Sequence, residues 1–312
     1  MAATDNVLVL FPGALGDFIC VLQTVLALRR HYRGVLGVVA QSALLELIDI
    51  PDTRPIAMHR REIADLFAST PPAPATVALL GGFGHVHSWT GHADAHLRRR
   101  LADVTGGQVD VYPFRGMQTG EHAVDYYARC VGLSPESSMA APLVSDDRWL
   151  AALRADRRLE DPVLVMHPGS GAPQKNWRGF SEVARAWNAQ RRGTVIALQG
   201  PAEVERADTA IPDALVLRDL SLPQVAALLR AGEVYLGNDS GVSHLAGALG
   251  ARGVVLFGPS DPATWAPRGR ALEILHAPVA CPDCGPSAFC CHRLPVPRVV
   301  AALESAQRRP RS

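Results

Sequence analysis

The segment Val163-Leu164-Val165-Met166-His167-Pro168-Gly169 repeats Val7-Leu8-Val9-Leu10-Phe11-Pro12-Gly13 at most positions. Each is an apolar run of strand length that enters a Pro-Gly turn. A chain that opens the same β-loop unit twice is most simply two domains of one architecture. Its 312 residues give each domain room for a buried core. The expected division is residues 1–150 and 151–312, with the Pro-, Ser- and acid-rich stretch Leu133 to Arg148 as the linker.

In the first half, Pro12 to Asp17 is a turn, after which Phe18, Leu22, Val25 and Leu26 recur at helical spacing. The glycines read G-x-x-G, so the dinucleotide fingerprint G-x-G-x-x-G is absent. Gly34 to Ala40 is expected as a strand, Ala43 to Ile48 as a helix, Thr76 to Leu80 as a strand and His122 to Cys130 as a helix. His85, His87, His92 and His96 would then lie in a solvated or acceptor-facing loop. None has the spacing and accompanying acid that specify a metal.

The second half alternates. Phe180, Val183, Ala184 and Trp187 share one face of a helix, Thr194 to Leu198 and Leu215 to Leu217 are strands, and Ser221 caps a helix with Pro223 in its first turn. Val234 to Gly237 and Gly253 to Phe257 flank a further helix. Asp239 or Ser240 can cap it, Val242, Leu245, Ala246 and Leu249 give it an apolar face, and Gly250 suits its left-handed stop. The free amides at its start form a seat for an anion, above all a phosphate. Alternation of this kind implies parallel sheets covered on both faces. Val296 to Gln307 is a final helix, long enough to pack back on the first domain.

A net charge of +1 offers no basic field for nucleic acid. The apolar run from Val7 is broken by Pro12, Gly13, Gly16 and Asp17, so neither a signal peptide nor a membrane span is expected and the compartment is the cytoplasm. Four of the six cysteines cluster as Cys281, Cys284, Cys290 and Cys291. The spacing is compatible with a structural zinc. The adjacency of Cys290 and Cys291 and the missing second C-x-x-C favour a loop of reduced thiols.

Three loops fall at the carboxyl ends of strands: Pro12 to Asp17, His167 to Trp177, and Asn238 to His244. They offer an acid, a cation, and a helix N-terminus beside hydroxyls. That set suits displacement of a diphosphate leaving group by an alcohol. The plainer reading of Asp17 is a helix cap, and His244, one turn after Ser240, is either a ligand contact or a packed core histidine. An α/β-hydrolase is excluded, since Asn238-Asp239-Ser240-Gly241 lacks the G-x-S-x-G elbow.

With Ala14-Leu15-Gly16-Asp17, His167-Pro168-Gly169-Ser170-Gly171 with Lys175-Asn176-Trp177, Gly237 to Ala246 and Phe257 to Pro262, the chain resembles glycosyltransferase family 9, the bacterial heptosyltransferase-type enzymes. The resemblance implies a GT-B fold, in which two Rossmann-like, doubly wound α/β domains face each other across a cleft. The first would bind the acceptor and the second a nucleotide-diphospho-sugar. It further implies inverting, metal-independent transfer, heptose as the default sugar, and a glycan or lipid-linked acceptor of lipopolysaccharide type. Asp17 matches the catalytic base and Lys175 the diphosphate-binding lysine. Asp239, Ser240 and Gly241 match the phosphate loop, with His244 close by, and Gly16 and Ser170 complete the binding set. The family's ribose-binding acid falls near Leu215, leaving Asp213 or Asp219 for that duty. No cofactor is expected, the chain is taken as a monomer, and a lipid-linked acceptor would bring it to the inner face of the membrane. A catalytically silent sugar-nucleotide-binding protein and a nucleotide-sugar epimerase on the same scaffold are the alternatives.

Overall fold

The computed structural model describes residues 5–135, 142–190, 193–200, 211–269, 271–277, 280–281, 285–289 and 293–308. The chain divides between Pro142 and Leu143 into two compact units.

The first unit runs β1 (Val7–Leu10), α1 (Leu15–His31), β2 (Leu36–Ala40), α2 (Ser42–Leu45), β3 (Thr53–Ala57), α3 (Arg61–Ala64), α4 (Pro74–Leu80), β4 (His85–Ser88), α5 (Ala95–Thr105), β5 (Gln108–Val111) and α6 (Ala123–Cys130). The strands form one parallel sheet in the order β3-β2-β1-β4-β5. Every residue of β1 and β2 is buried, as a strand covered on both faces requires. The direction of winding reverses between β1 and β4, which opens a crevice beyond their carboxyl ends.

Two expectations fail here. Thr76 to Leu80 is not a strand but the body of α4. Pro74 sits in its first turn, where the missing N–H costs nothing. The buried residues Thr76 and Leu80 are four apart, a helical spacing, and the Thr76 hydroxyl donates to Asp65 Oδ2 at 2.6 Å. The strand is instead His85–Ser88, inside the stretch expected as a histidine-rich loop. Polar composition hid it. As an interior strand it turns its polar side chains to its neighbours: His87 Nδ1 lies 3.0 Å from the Tyr112 hydroxyl and Ser88 Oγ donates to Thr90 O at 2.9 Å, while His87 Nε2 is buried without a partner among the described residues. The edge strands β3 and β5 also escaped the sequence reading. β3 carries Pro55, which only an edge accommodates.

The second unit runs α7 (Asp147–Arg157), β6 (Leu164–His167), α8 (Phe180–Ala189), β7 (Val195–Gln199), β8 (Leu215–Arg218), α9 (Leu222–Ala231), β9 (Val234–Asn238), α10 (Gly241–Ala248), β10 (Gly253–Phe257), α11 (Pro262–Trp265), β11 (Leu272–His276), a short antiparallel pair β12 (Ala280–Cys281) and β13 (Gly285–Phe289), and α12 (Val296–Arg308). Its large sheet is parallel, in the order β11-β10-β9-β6-β7-β8, with the reversal between β6 and β9. The acids of the expected linker start α7, where Asp146 Oδ1 caps the Trp149 amide at 3.0 Å. Residues 136–141 of that stretch lie outside the described residues. Cys284, Cys290 and Cys291 and the side chain of Cys281 do so too.

Phe180, Val183, Ala184 and Trp187 face the core as their spacing requires, joined there by Val299, Ala302 and Leu303 of α12. Ser221 and Gln224 form a reciprocal capping box, with Ser221 N donating to Gln224 Oε1 at 2.9 Å. Among the described residues no helix is long and apolar enough to cross a membrane.

Two buried histidines tie stability to pH. Burial draws His87 from 6.5 down to about 4, and His167 equally. The unfolded chain therefore takes up these protons first as pH falls. Stability should be flat above pH 6.5 and drop toward pH 4, by roughly 3 kcal/mol for each group. Urea unfolding across that window measures it, and His87→Phe should make the slope shallower.

Candidate functional site

In the first unit the Pro12-Gly13 turn delivers the chain from β1 into α1, whose first turn contains Asp17. Gly13 has no substitute there. A Cβ on it would lie 2.5 Å from Phe11 Cε1 and 2.8 Å from Asp17 Cβ. Phe11 is the hub of an aromatic floor with Phe18, Trp89, Phe114 and Tyr127. Above that floor Asp17 is only 8% exposed. Ala14, at the N-cap of α1, provides no side-chain cap. The Asp17 carboxylate instead meets Arg115, whose Nη2 donates to both oxygens at 3.3 Å. Arg115 is 59% exposed at its side chain and lies over the Phe114 ring at 5.4 Å. The acid is thus paired with a cation that is itself largely exposed. Gly16 precedes Asp17 in the same turn and is half-buried. Arg115 was not singled out from sequence, since a lone arginine after a short polar strand carries no distinguishing pattern.

In the second unit the site is assembled at the reversal between β6 and β9. Asn238 ends β9 with no exposed surface. Its Nδ2 donates to Pro168 O at 2.6 Å and its Oδ1 accepts from Trp177 N at 3.1 Å. One amide thus clamps both ends of the loop after β6. Within the loop, Ser170 Oγ lies 2.7 Å from Ala172 O and 2.6 Å from Asn176 Oδ1, so it serves the loop's own shape. A single 3₁₀ turn, Pro173–Lys175, then aims the lysine. Lys175 Nζ donates to Asp239 Oδ2 at 2.6 Å, with side-chain exposures of 30% and 6%. Trp177 is packing, as its Nε1 donates to Leu294 O at 3.0 Å inside the core.

Ser240 is the N-cap of α10, its hydroxyl accepting from the Ser243 amide. Gly241 begins the helix half-buried, and Gly250 follows it at φ +72°, as the sequence suggested. His244 is 5% exposed and lies on the buried side of α10. Behind the cap, Ser243 Oγ donates to Asn238 O at 2.6 Å and lies 2.9 Å from the Tyr235 hydroxyl. A Cβ on Gly237 would stand 2.9 Å from Ser243 Oγ and closer still to Tyr235, so the glycine makes room for this polar chain. His167 ends β6 with Nδ1 3.1 Å from Ser240 Oγ, and burial holds its ring neutral at physiological pH.

Beside these groups lies a cavity of about 470 Å³, lined by His167, Gln199, Gly200, Leu217, Asp219 and Val242 among others. Its size suits a nucleoside. Asp219 stands at the carboxyl end of β8 with φ +54° and lines it. Asp213 precedes the opposite end of that strand, which Leu215 opens. Of the two acids left open from sequence, Asp219 is the one at the cavity. Among the described residues no group of three or more His, Cys, Asp or Glu could hold a metal ion. The second unit therefore brings His167, Lys175, Asp239, Ser240 and Gly241 together. Asp17 and Gly16 belong to the first unit.

The model of glycosyltransferase family 9 (heptosyltransferase) matches residues 117–285, more than half of the chain. Lipopolysaccharide heptosyltransferase 1 of Pseudomonas aeruginosa is 31% identical over 117 residues, 36% of this chain and 32% of that protein, so the chain matches about a third of this relative's length. Among solved structures, the glycosyl transferase family 9 protein from Veillonella parvula superposes with a TM-score of 0.77 at 17% identity, covering 98% of each chain. The ADP-heptose lipopolysaccharide heptosyltransferase II of E. coli superposes with a TM-score of 0.72 at 18% identity, covering 97% of this chain and 98% of its own. These likenesses show the GT-B fold.

The Asn238 clamp can be tested directly. Asn238→Leu leaves the Trp177 amide and the Pro168 carbonyl without their partner, and should lower the unfolding free energy by about 1–3 kcal/mol. Chemical denaturation measures the loss. Trp177 fluorescence should report a loosened loop before global unfolding.

Proposed function

This chain belongs to glycosyltransferase family 9, and on that premise we propose that it moves a sugar from a nucleotide-diphospho-sugar to a hydroxyl of a lipopolysaccharide-type acceptor. The donor is read as ADP-heptose because the E. coli relative is named for it. The observation that carries the proposal is the grouping in the second unit. A lysine and the serine-capped start of α10 stand at the strand reversal, beside a cavity of nucleoside size.

The residues divide the chemistry between them. The cavity takes the nucleoside, and Asp219, which lines it, accepts from a ribose hydroxyl. Lys175 and the amides at the start of α10 hold the diphosphate and the charge that grows on the leaving oxygen. Lys175 reaches that position by exchanging Asp239 for a phosphate, and the released Asp239 carboxylate can then accept from sugar hydroxyls. Lysine and amide dipoles together answer the leaving-group charge, which makes the transfer metal-independent. Asp17, in the first unit, takes the proton from the acceptor alcohol as it attacks from the face opposite the diphosphate, so the anomeric centre inverts. Arg115 has to leave the Asp17 carboxylate for this to happen, and an anionic acceptor would draw it away.

Asp17→Asn should reduce transfer by about a thousandfold or more while leaving nucleotide affinity within about twofold. Equal loss of both would assign Asp17 a structural role. Lys175→Ala should weaken ADP binding about tenfold or more and leave adenosine binding unchanged, as isothermal titration would read. In a melting screen of ADP, GDP, UDP and dTDP, ADP should raise the transition temperature most.

A further inference from the structure

The polar chain behind Ser240 bears on where the proton of His167 lies. The buried Tyr235 hydroxyl is 2.9 Å from Ser243 Oγ. Ser243 gives its own proton to Asn238 O at 2.6 Å, so Tyr235 is the donor toward it. The Ser243 amide donates to Ser240 Oγ at 3.4 Å. The Ser240 hydroxyl lies 3.1 Å from His167 Nδ1 and 3.5 Å from Ser243 Oγ, with the Tyr235 hydroxyl also on it, and donation along the shorter of the two measured contacts gives its proton to His167. A neutral imidazole that accepts at Nδ1 carries its hydrogen on Nε2. His167 lines the cavity, and it stands at the side where α10 begins.

We propose that His167 is a hydrogen-bond donor fixed in its Nε2–H tautomer by Ser240, and that it binds a diphosphate oxygen of the nucleotide. The inference rests on reading the cavity as a nucleotide site. The diphosphate is the part of the ligand within its reach, because His167 adjoins the N-cap of α10, whereas Leu217, Leu220 and Leu222 provide the apolar lining suited to a base. Burial keeps the ring uncharged through neutral pH, so its hydrogen bond would persist where a surface histidine titrates. His167 thus adds a directed dipole to the charge that Lys175 supplies. Within the repeated β-loop unit, the matching position in the first half is Phe11, at the centre of the aromatic floor. The two halves differ in chemistry at this one strand end.

Two substitutions separate the ring nitrogens. The amide of His167→Gln places an N–H near the position of Nε2, and that of His167→Asn places one near Nδ1. Titration of the full chain with ADP should find the glutamine variant within about threefold of the unaltered protein and the asparagine variant about tenfold or more weaker. With adenosine the two should bind alike. Equal ADP affinity for both variants, or a loss with adenosine by the asparagine variant as large as its loss with ADP, would overturn the assignment. Nitrogen NMR of the unaltered protein gives an independent reading: a hydrogen on Nε2 is expected, and one on Nδ1 refutes the tautomer whether or not the variants fold. If the unaltered protein binds none of the four nucleoside diphosphates, the nucleotide reading itself fails, and the proposed contact with it.

Discussion

One buried amide holds the second unit's site in register. Asn238 is the last residue of β9, yet both polar atoms of its side chain are spent on the loop that follows β6. A flexible Gly- and Pro-rich loop would otherwise sample many shapes, at a cost of about 1–2 kcal/mol for each residue that must be ordered on binding. The clamp sets that ordering in advance. It fixes where the 3₁₀ turn begins, and so where Lys175 points. Because the same strand continues into Asp239 and Ser240, the lysine, its acid and the helix cap share a single rigid reference.

Both charges with assigned roles are neutralised within the protein. Lys175 is held by Asp239 and Asp17 by Arg115. In each pair the acid is nearly buried and the cation is the more exposed member. An unpaired carboxylate at 8% exposure would be costly. A partner that can leave answers that cost without closing the site. On the proposed reading, substrate binding exchanges ion pairs rather than creating one, which lessens the net gain from each contact and favours ligands that bring a compensating charge.

The sequence was legible wherever apolar spacing and backbone chemistry agree. The repeated strand entering a Pro-Gly turn, the helix of Phe180 to Trp187, the Ser221 cap and the helix from Ser240 to Gly250 all rest on local rules, and each stands where those rules put it. The reading failed at β4 and α4 because composition misled it: a strand with two histidines and a serine looks like a loop until neighbours on both sides cover it. It also missed β3 and β5, whose edge positions tolerate proline and alternating polar residues.

What the sequence by itself determined is the inventory: two α/β halves, a serine-capped helix after β9, an acid just after β1 and a lysine in the loop after β6. Those follow from interactions within a few residues of one another. Only the tertiary structure decided partnership. It set Arg115 on Asp17 across 98 residues of chain, Asp239 on Lys175 across 64, and His167 on Ser240 across 73. It also placed Asp219, and not Asp213, at the cavity. The physical reason is the sheet order: parallel strands distant in sequence become neighbours only when the winding reverses, and the side chains that meet at that reversal share no local pattern.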